Sequence, residues 1–332
     1  MSFNFHIYLM FTYSLLYFLL SWMTTVPQPS MEEPPQKSNE VVEIEITETK
    51  PRLAISFDDG NTADMPGYSL DEWDGLILQH LEKYGAKAIF FATGGQLNSQ
   101  RGRNLLEKWV QSGHYLGNHT YTHPSFNSEE VSLEDYKRDF LKNNPFLSKF
   151  DNFVPFFRFP YLKEGQTIEK RDGFRKFLEE NGYRNGHVTI DGSDWYINSR
   201  LLGRLKRNPN ADISDFRDWY VKHHVERANF NDSLATVLTD RKVSHVLLLH
   251  HNFAASLFLG DLLEALTAEG WEIVDAMEAY EDPIYQHQPK TLPAGGNFLR
   301  ALSKEAGIYG SLFAHAPERE GYLKNKMDYL GL

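Results

Sequence analysis

The sequence predicts an α/β fold in which strands and helices alternate around a barrel or near-barrel. Short apolar runs alternate with stretches of helical periodicity from residue 53 to residue 280. Polar residues suited to catalysis directly follow five of the apolar runs. Since the carboxyl ends of parallel strands form the ligand-binding edge of such folds, these residues can share one site. Five contributing strand ends favour a barrel, because an open sheet concentrates its site at one crevice.

The elements follow from local patterns. The first apolar run, at residues 53–57, is typical of a buried parallel strand. The predicted strands lie at residues 53–57, 88–92, 114–117, 153–161, 187–190, 246–249 and 271–274. Helices are predicted where apolar residues recur every three or four positions, and Gly113 and Gly182 end two of them. The predicted helices lie at residues 73–84, 104–112, 133–143, 171–181, 215–227, 233–240, 257–268, 277–280 and 298–305.

Four segments are predicted along the 332 residues. Residues 1–24 contain an apolar stretch at 7–23, which is predicted to be either a signal peptide or a membrane anchor. It is at the short edge of the roughly 17 to 25 residues that span a bilayer, and it lacks a basic leading region. Residues 25–50 form a linker rich in Pro and Glu, residues 51–282 the α/β domain, and residues 283–332 an extension that packs on the barrel. We expect an exported protein that is periplasmic, secreted or membrane-anchored.

Composition excludes some classes of function. The 34 basic and 45 acidic residues give a net charge of −11, which argues against a nucleic-acid partner, since such binding neutralises phosphates with Lys and Arg. There is no Cys, so disulfides and cysteine metal sites are excluded.

Two adjacent carboxylates, Asp58 and Asp59, end the first strand, and His119 and His123 follow about sixty residues later. One Asp and two His form a ligand set that a catalytic zinc uses while keeping a position open for water. Side chains alternate faces along a strand, so two neighbouring Asp residues cannot both point at one metal in the same way. The pattern predicts one metal ligand and one general base.

Five motifs, in order and each after a predicted strand, resemble those of the polysaccharide deacetylases of the NodB homology group, carbohydrate esterase family four. They are Phe57-Asp58-Asp59-Gly60, His119-Thr120-x-x-His123-Pro124, Arg158-x-Pro160-Tyr161, Asp191-x-x-Asp194-Trp195 and Leu248-Leu249-His250. The resemblance covers about residues 53–274. It implies a distorted (β/α)₇ barrel and metal-dependent removal of an acetyl group from an N-acetylated sugar of a polysaccharide or oligosaccharide.

The resemblance also implies roles on the metal side of the site. Asp59, His119 and His123 would hold a divalent metal, with Zn²⁺ expected and Co²⁺ or Ni²⁺ as alternatives. The metal lowers the pKa of its bound water, which then serves as the nucleophile. Asp58 would be the general base, and Arg158 would pair with it.

Further roles implied by the resemblance concern the acyl oxygen and the leaving amine. Tyr161 would offer its backbone N–H to the oxyanion, and His250 would act as the acid, oriented by Asp194. The family commonly has Asp after this His, whereas this chain has His251, so either histidine could face the site. Trp195 is expected either to wall the substrate groove or to lie in the core.

Several alternatives stay open. The same metal centre could hydrolyse O-acetyl esters of a glycan. A third hypothesis is that the protein is an anchored, non-catalytic module that binds glycans. Asp191 is expected to form an Asx turn. The segment 198–231 is expected to be a solvated helical insertion, or else a substrate contact.

Overall fold

The computed structural model describes residues 50–308, 310 and 321–332. The predicted signal peptide or anchor at residues 1–24 lies outside the described residues, as does the linker except for its last residue. Within the described part of the chain, no helix is long and apolar enough to cross a membrane. The interpretation of residues 7–23 therefore stays a prediction, as do the segment boundaries.

A parallel sheet forms the centre of the fold. The strands are β1 Arg52–Asp59, β2 Ile89–Ala92, β3 Tyr115–Asn118, β4 Phe153–Phe157, β5 Lys163–Gly165, β6 Arg184–Asn185, β7 Ile190–Asp191, β8 Ser244–His250, β9 Glu272–Ile273 and β10 Ala294–Gly295. The sheet has the order β6-β4-β3-β2-β1-β8-β7, and β9 pairs with the start of β1. Every pair in it is parallel, whereas β5 and β10 form a separate antiparallel pair.

The predicted barrel-type α/β fold is confirmed in the form of a curled half-barrel sheet with helices. Its seven-strand path ends at β6 and β7, and no ladder joins these two strands within the described residues. Both end strands are only two residues long, so they offer little backbone for closure. The carboxyl ends of the other strands still converge at one edge.

The helices surround this sheet. They are α1 Leu70–Lys83, α2 Gly94–Leu97, α3 Gln100–Gln111, α4 Leu133–Leu147, α5 Ile168–Glu180, α6 Asp194–Arg207, α7 Ser214–Thr239, α8 Phe253–Ala268, α9 Ala276–Tyr280, α10 Phe298–Glu305 and α11 Tyr322–Leu330. Capping explains why some begin earlier than the apolar pattern predicts. Ser69 and Glu72 form a capping box at the start of α1, and Ser99 accepts a hydrogen bond from Gly102 N at the start of α3.

The alternation of β1 positions the first site residues. Leu53, Ile55 and Phe57 pack in the core between the sheet and helices such as α1 and α8. Ser56 and Asp58 point to the opposite face, where both are buried. The Asp58 carboxylate is therefore held inside the curl of the sheet.

The insertion before β8 differs from its prediction. The two helices predicted at 215–227 and 233–240 are one helix, α7, and residues 194–207 form the further helix α6. The expectation of a solvated insertion is wrong for the inner face of α7, because His223 and His224 are each only 1% exposed. Aromatic partners explain this burial: the ring of His223 stacks on Trp219, and that of His224 packs against Tyr220.

Residues beyond β9 contribute to the core. Phe298 and Leu299 of α10 are buried in a cluster that also contains Ala54 of β1. Met327 of α11 and Leu332 are buried in the main cluster. The chain beyond residue 283 thus supplies apolar contacts to the α/β domain.

Candidate active site

The end of β1 supplies a buried carboxylate with a fixed partner. Oδ1 of Asp58 accepts a hydrogen bond from Nη1 of Arg158 at 2.8 Å, and Arg158 is fully buried. The same guanidinium donates to Ser56 Oγ, to the carbonyl of Gly186 and to the Tyr280 hydroxyl. Burial raises the pKa of Asp58 to about 6 against the opposing charge of Arg158. A carboxyl group in that range suits a base at neutral pH.

Three predicted ligands converge beside this carboxylate. Oδ1 of Asp59 lies 3.1 Å from Nε2 of His123 and 3.6 Å from Nε2 of His119. The ring nitrogens and the carboxylate oxygen all lie within 4.8 Å of one another. Among the described residues, this is the group of His, Asp or Glu side chains that could hold a metal ion.

The geometry fits a divalent cation. Tetrahedral ligands at about 2.0 to 2.2 Å from a zinc ion are separated by about 3.3 Å, close to the distances between Asp59 and the two histidines. Oδ1 of Asp59 is buried without a partner in hydrogen-bonding geometry, although Nε2 of His123 is near. The pKa of His119 is lowered to about 3, mainly by burial, which keeps the imidazole neutral. Nδ1 of His119 donates to the Arg158 carbonyl at 2.8 Å, which leaves Nε2 free to be a ligand.

The backbone at these positions is strained. Asp59, Thr120, His123, Tyr161 and Ser193 all have φ between 50° and 77°. Non-glycine residues rarely adopt this left-handed conformation, which costs on the order of 1 to 3 kcal/mol and clusters at functional sites. All of them lie at or just after the carboxyl end of a sheet strand, where the side chains converge.

A histidine–carboxylate pair adjoins Asp58, because Asp58 and His250 are register partners on the neighbouring parallel strands β1 and β8. Nδ1 of His250 donates to Oδ1 of Asp194 at 2.7 Å, and the His250 backbone N–H donates to the other carboxylate oxygen at 2.9 Å. Asn252 donates to that second oxygen as well. Burial would lower the pKa of His250, but the Asp194 charge and hydrogen bond outweigh it and raise the pKa to about 10. The Asp194 carboxylate therefore favours the protonated form of His250 at neutral pH.

The choice between the two adjacent histidines is decided by the alternation along β8. His250 lines the pocket, whereas the ring of His251 is buried beneath the sheet against Trp73. His251 is held there by Asp74, whose Oδ1 lies 2.9 Å from Nε2, and by the Asn61 backbone N–H on Nδ1. The position after His250 thus has a packing role.

The pocket is a cavity of about 580 Å³. Tyr161 and Trp195 lie at its rim, with 60% and 54% of their surfaces exposed. The alternative of a core position for Trp195 does not hold, because the residue lies in the first turn of α6 with its ring exposed at the pocket. Asp191 forms the expected Asx turn, accepting from Ser193 N at 2.7 Å.

Three supporting residues were not predicted. Ser56 and Tyr280 orient Arg158, and Asn252 orients Asp194. Ser56 could have been found from the strand alternation that places it on the face of Asp58. Nothing near Tyr280 in sequence indicates its contact, since its partner is more than a hundred residues away.

Comparisons with known proteins cover part of this site. A family model described as Polysaccharide deacetylase matches residues 45–185. The match contains Asp58, Asp59, His119, His123, Arg158 and Tyr161, whereas Asp194, Trp195 and His250 lie beyond it.

Relatives match a similar portion of the chain. A Peptidoglycan-N-acetylglucosamine deacetylase of Bacillus cereus is 30% identical over 147 residues, which cover 44% of this chain and 47% of that protein. A Chitin deacetylase of Arthroderma benhamiae is 29% identical, over 42% of this chain and 37% of its own. The crystal structure of the polysaccharide deacetylase Bc1974 from Bacillus cereus aligns with a TM-score of 0.49 at 20% identity, covering 68% of this chain and 92% of that one. The matched segments thus span less than half the length of these two curated relatives.

Proposed function

We propose that this protein is a metal-dependent hydrolase of N-acetyl groups, because residues 45–185 match the family model described as Polysaccharide deacetylase. Its substrate would be an acetylated polysaccharide or oligosaccharide of the peptidoglycan or chitin type, as named for the relatives. Such glycans lie outside the cytoplasm, so we propose an exported protein. The single observation that carries the proposal is that Asp58 and His250 line one pocket together with the metal-type cluster.

Asp59, His119 and His123 would hold the metal, and their two imidazoles and one carboxylate favour Zn²⁺. A divalent metal held there would activate water and polarise the acyl oxygen. Co²⁺ and Ni²⁺ accept the same donors and are alternatives.

Asp58 would remove a proton from the attacking water as the water oxygen bonds to the acyl carbon. Arg158 holds this carboxylate in place through its 2.8 Å hydrogen bond. The backbone N–H of Tyr161 would donate to the acyl oxygen as negative charge develops on it. The left-handed conformation of Tyr161, with φ of 56°, supports this role because it turns the backbone at the pocket rim.

His250 would give its proton to the amide nitrogen while the C–N bond breaks, releasing acetate and a free amine. Its raised pKa, about 10, supports an acid that stays protonated at neutral pH. Trp195 would flank the bound sugar with its exposed ring.

The test is acetate release from N-acetylglucosamine oligomers and from acetylated xylan, each with and without a chelator. We expect release from the N-acetylated oligomers that stops with chelator and returns when Zn²⁺ is added. Release from xylan alone would instead favour an O-acetyl esterase. Sugar binding with no release on either glycan would favour a non-catalytic binding module.

A further inference from the structure

The turn that carries Asp59 is held by hydrogen bonds to a single residue of the neighbouring strand end. Asp59 has a φ of 77° and Gly60 a φ of 121°, so two successive residues have left-handed values. For a residue with a side chain such a backbone persists only where its surroundings hold it. The His251 backbone N–H donates to the Asp58 carbonyl at 3.1 Å, and Nδ1 of its ring accepts from the Asn61 backbone N–H at 3.1 Å. These two hydrogen bonds lie on either side of Asp59 and Gly60.

The contacts of the His251 ring fix its tautomer. A backbone N–H can only donate, so Nδ1 is the acceptor and Nε2 carries the proton. Nε2 donates to Oδ1 of Asp74 at 2.9 Å. The same carboxylate oxygen accepts from Nε1 of Trp109 at 2.7 Å, so residues of α1 and α3 hold each other there. Asp74 therefore orients the imidazole, and the imidazole offers its lone pair to the Asn61 N–H.

This series of contacts is shielded from water. His251 is 2% exposed and Asp74 is 1% exposed. Three aromatic rings enclose the imidazole at centroid distances of 4.4 to 5.9 Å, namely Trp73, Phe90 and Trp109. Because water has little access to the position of Nδ1, a side chain without an acceptor there would leave the Asn61 N–H without its partner.

We propose that His251 is a positioning residue for the metal site, because it fixes the turn that presents Asp59 to the cation. This inference rests on the metal-ligand role proposed for Asp59. Oδ1 of Asp59 lies 3.1 Å from Nε2 of His123 and 3.6 Å from Nε2 of His119. A metal–ligand distance tolerates a deviation of only about 0.2 Å, so a turn that is free to move would weaken metal binding. This role adds to the packing of the ring, since it requires an acceptor at Nδ1.

The test compares two polar substitutions that divide the contacts of the ring. The side-chain oxygen of Asn lies near the position of Nδ1, so His251→Asn keeps an acceptor for the Asn61 N–H and loses the bond to Asp74. The longer Gln reaches the position of Nε2, so His251→Gln keeps the bond to Asp74 and loses the acceptor. We expect the Zn²⁺ affinity of His251→Gln to fall by about 10 to 100-fold, and that of His251→Asn to fall much less.

The variant His114→Gln is the matched control. His114 is 3% exposed, its ring also packs on Trp109, and its Nδ1 accepts from a backbone N–H, that of Ala88, at 3.2 Å. Ala88 precedes β2, at the end of the sheet away from Asp59. The same substitution there should lower stability and leave the Zn²⁺ affinity as it is.

The Zn²⁺ affinity is measured by competition with a chromophoric chelator, at a temperature at which urea unfolding shows each variant to be folded. Unaltered affinity in His251→Gln, or an equal loss in His251→Asn or in His114→Gln, would overturn the inference. NMR of the ring nitrogens in the unaltered chain is a readout that requires no substitution. A proton on Nε2 of His251 supports the inference, and a proton on Nδ1 would overturn it even if no variant folds.

Acetate release in parallel separates this inference from the proposed function. A selective loss of Zn²⁺ affinity in His251→Gln, with no acetate release by the unaltered chain, would leave the role of His251 standing and refute the hydrolase. Acetate release with equal Zn²⁺ affinity in His251→Gln and the unaltered chain would refute the role of His251 and leave the hydrolase. Absence of Zn²⁺ binding by the unaltered chain would refute the ligand set and, with it, this inference.

Discussion

The proposed active site has two parts that are built differently, and they are called the metal side and the acid side after the roles proposed for them. The metal side consists of Asp58, Asp59, His119, His123 and Arg158, and all of it lies within the segment matched by the family model. The acid side consists of Asp194 and His250 with Asn252, and all of it lies beyond that segment. A buried guanidinium holds the metal side, whereas one carboxylate with three donors holds the acid side. Left-handed backbone occurs on both sides, at Asp59 and His123 on the first and at Ser193, just before Asp194, on the second.

This difference teaches how much of the chain each side of the site requires. The metal side arises at the ends of β1, β3 and β4, where the chain turns sharply. The acid side depends on α6, whose first residue is Asp194, and a carboxylate at a helix start is favoured by the helix dipole. The adjoining helix α7 supports the loop before α6, since His223 hydrogen bonds to the Gly192 carbonyl.

The largest expected effect is on the metal side. Asp59→Ala or His119→Ala removes one of three ligands, so metal binding and acetate release should both fall to background. Metal content by atomic emission and acetate release check this. Asp64→Ala, at an exposed carboxylate paired with Arg101, is the control and should retain both. Metal content equal to that of the unaltered protein in both variants would refute the ligand set.

The variant Asp58→Asn tests whether Asp58 acts as the general base or as a metal ligand. The amide keeps the size of the side chain but cannot take a proton, so activity should fall by about 10² to 10⁴-fold while metal content stays the same. Undiminished turnover in this variant would remove Asp58 from the base role.

His250→Ala tests the acid side. We expect a loss of about 10² to 10⁴-fold on N-acetyl substrates, because the amine leaves only when protonated. An O-acetyl ester of the same sugar is the internal comparison, and its hydrolysis should fall much less, since an alcohol leaves with less help. Equal losses on both substrates would mean that His250 positions substrate instead of donating a proton.

Asp194→Asn tests how the acid side sets the charge of His250. The Asp194 carboxylate is what raises the pKa of His250 to about 10, so its neutral replacement should lower that pKa. A group with a raised pKa loses its proton as pH rises through that value, so activity in the variant should decline at lower pH than in the unaltered protein. An alkaline limb of the rate profile that does not move would contradict this coupling.

The smallest expected effect is on the free energy of unfolding and concerns two buried histidines outside both sides of the site. Burial lowers the pKa of His114, before β3, and of His187, before β7, each to about 4. The unfolded chain, with a His pKa near 6.5, binds protons first on acidification, so the free energy of unfolding should fall between about pH 6.5 and pH 4. Each histidine contributes on the order of 3 kcal/mol to this loss.

The variant His114→Asn should make the free energy of unfolding less dependent on pH in that window, as measured by urea unfolding at several pH values. Gln111→Asn, at an exposed position without a titratable group at the end of α3, is the control and should leave the slope as it is. If the free energy of unfolding of His114→Asn depended on pH as steeply as that of the unaltered protein, His114 would not be a buried neutral histidine.

Much of the metal side could be predicted from the sequence because its signals are local. Asp58 and Asp59 end an apolar run, and His119 and His123 have a metal-ligand spacing at the next strand but one. His250 and His251 could not be separated in this way, since the choice needs the face of β8 that packs on Trp73. Contacts such as Tyr280 with Arg158 join distant segments, and no local pattern indicates them.

The segment 198–231 shows a second limit of prediction from the sequence. Charged residues made residues 198–231 look solvated, but α7 buries one face and exposes the other along 26 residues. Its two buried histidines depend on packing against aromatic neighbours that only the folded chain brings into contact.

Arg158 has a consequence for interpreting mutants. Its guanidinium joins β1, the loop after β6 and α9, through Asp58, Gly186 and Tyr280, in a sheet whose two end strands are unpaired with each other. Removing one partner of a buried charge pair costs about 3 to 5 kcal/mol, so Arg158→Ala would loosen the open seam of the half-barrel as well as the base. An inactive protein carrying a change at Arg158 therefore cannot be assigned to lost catalysis until its folded fraction has been measured.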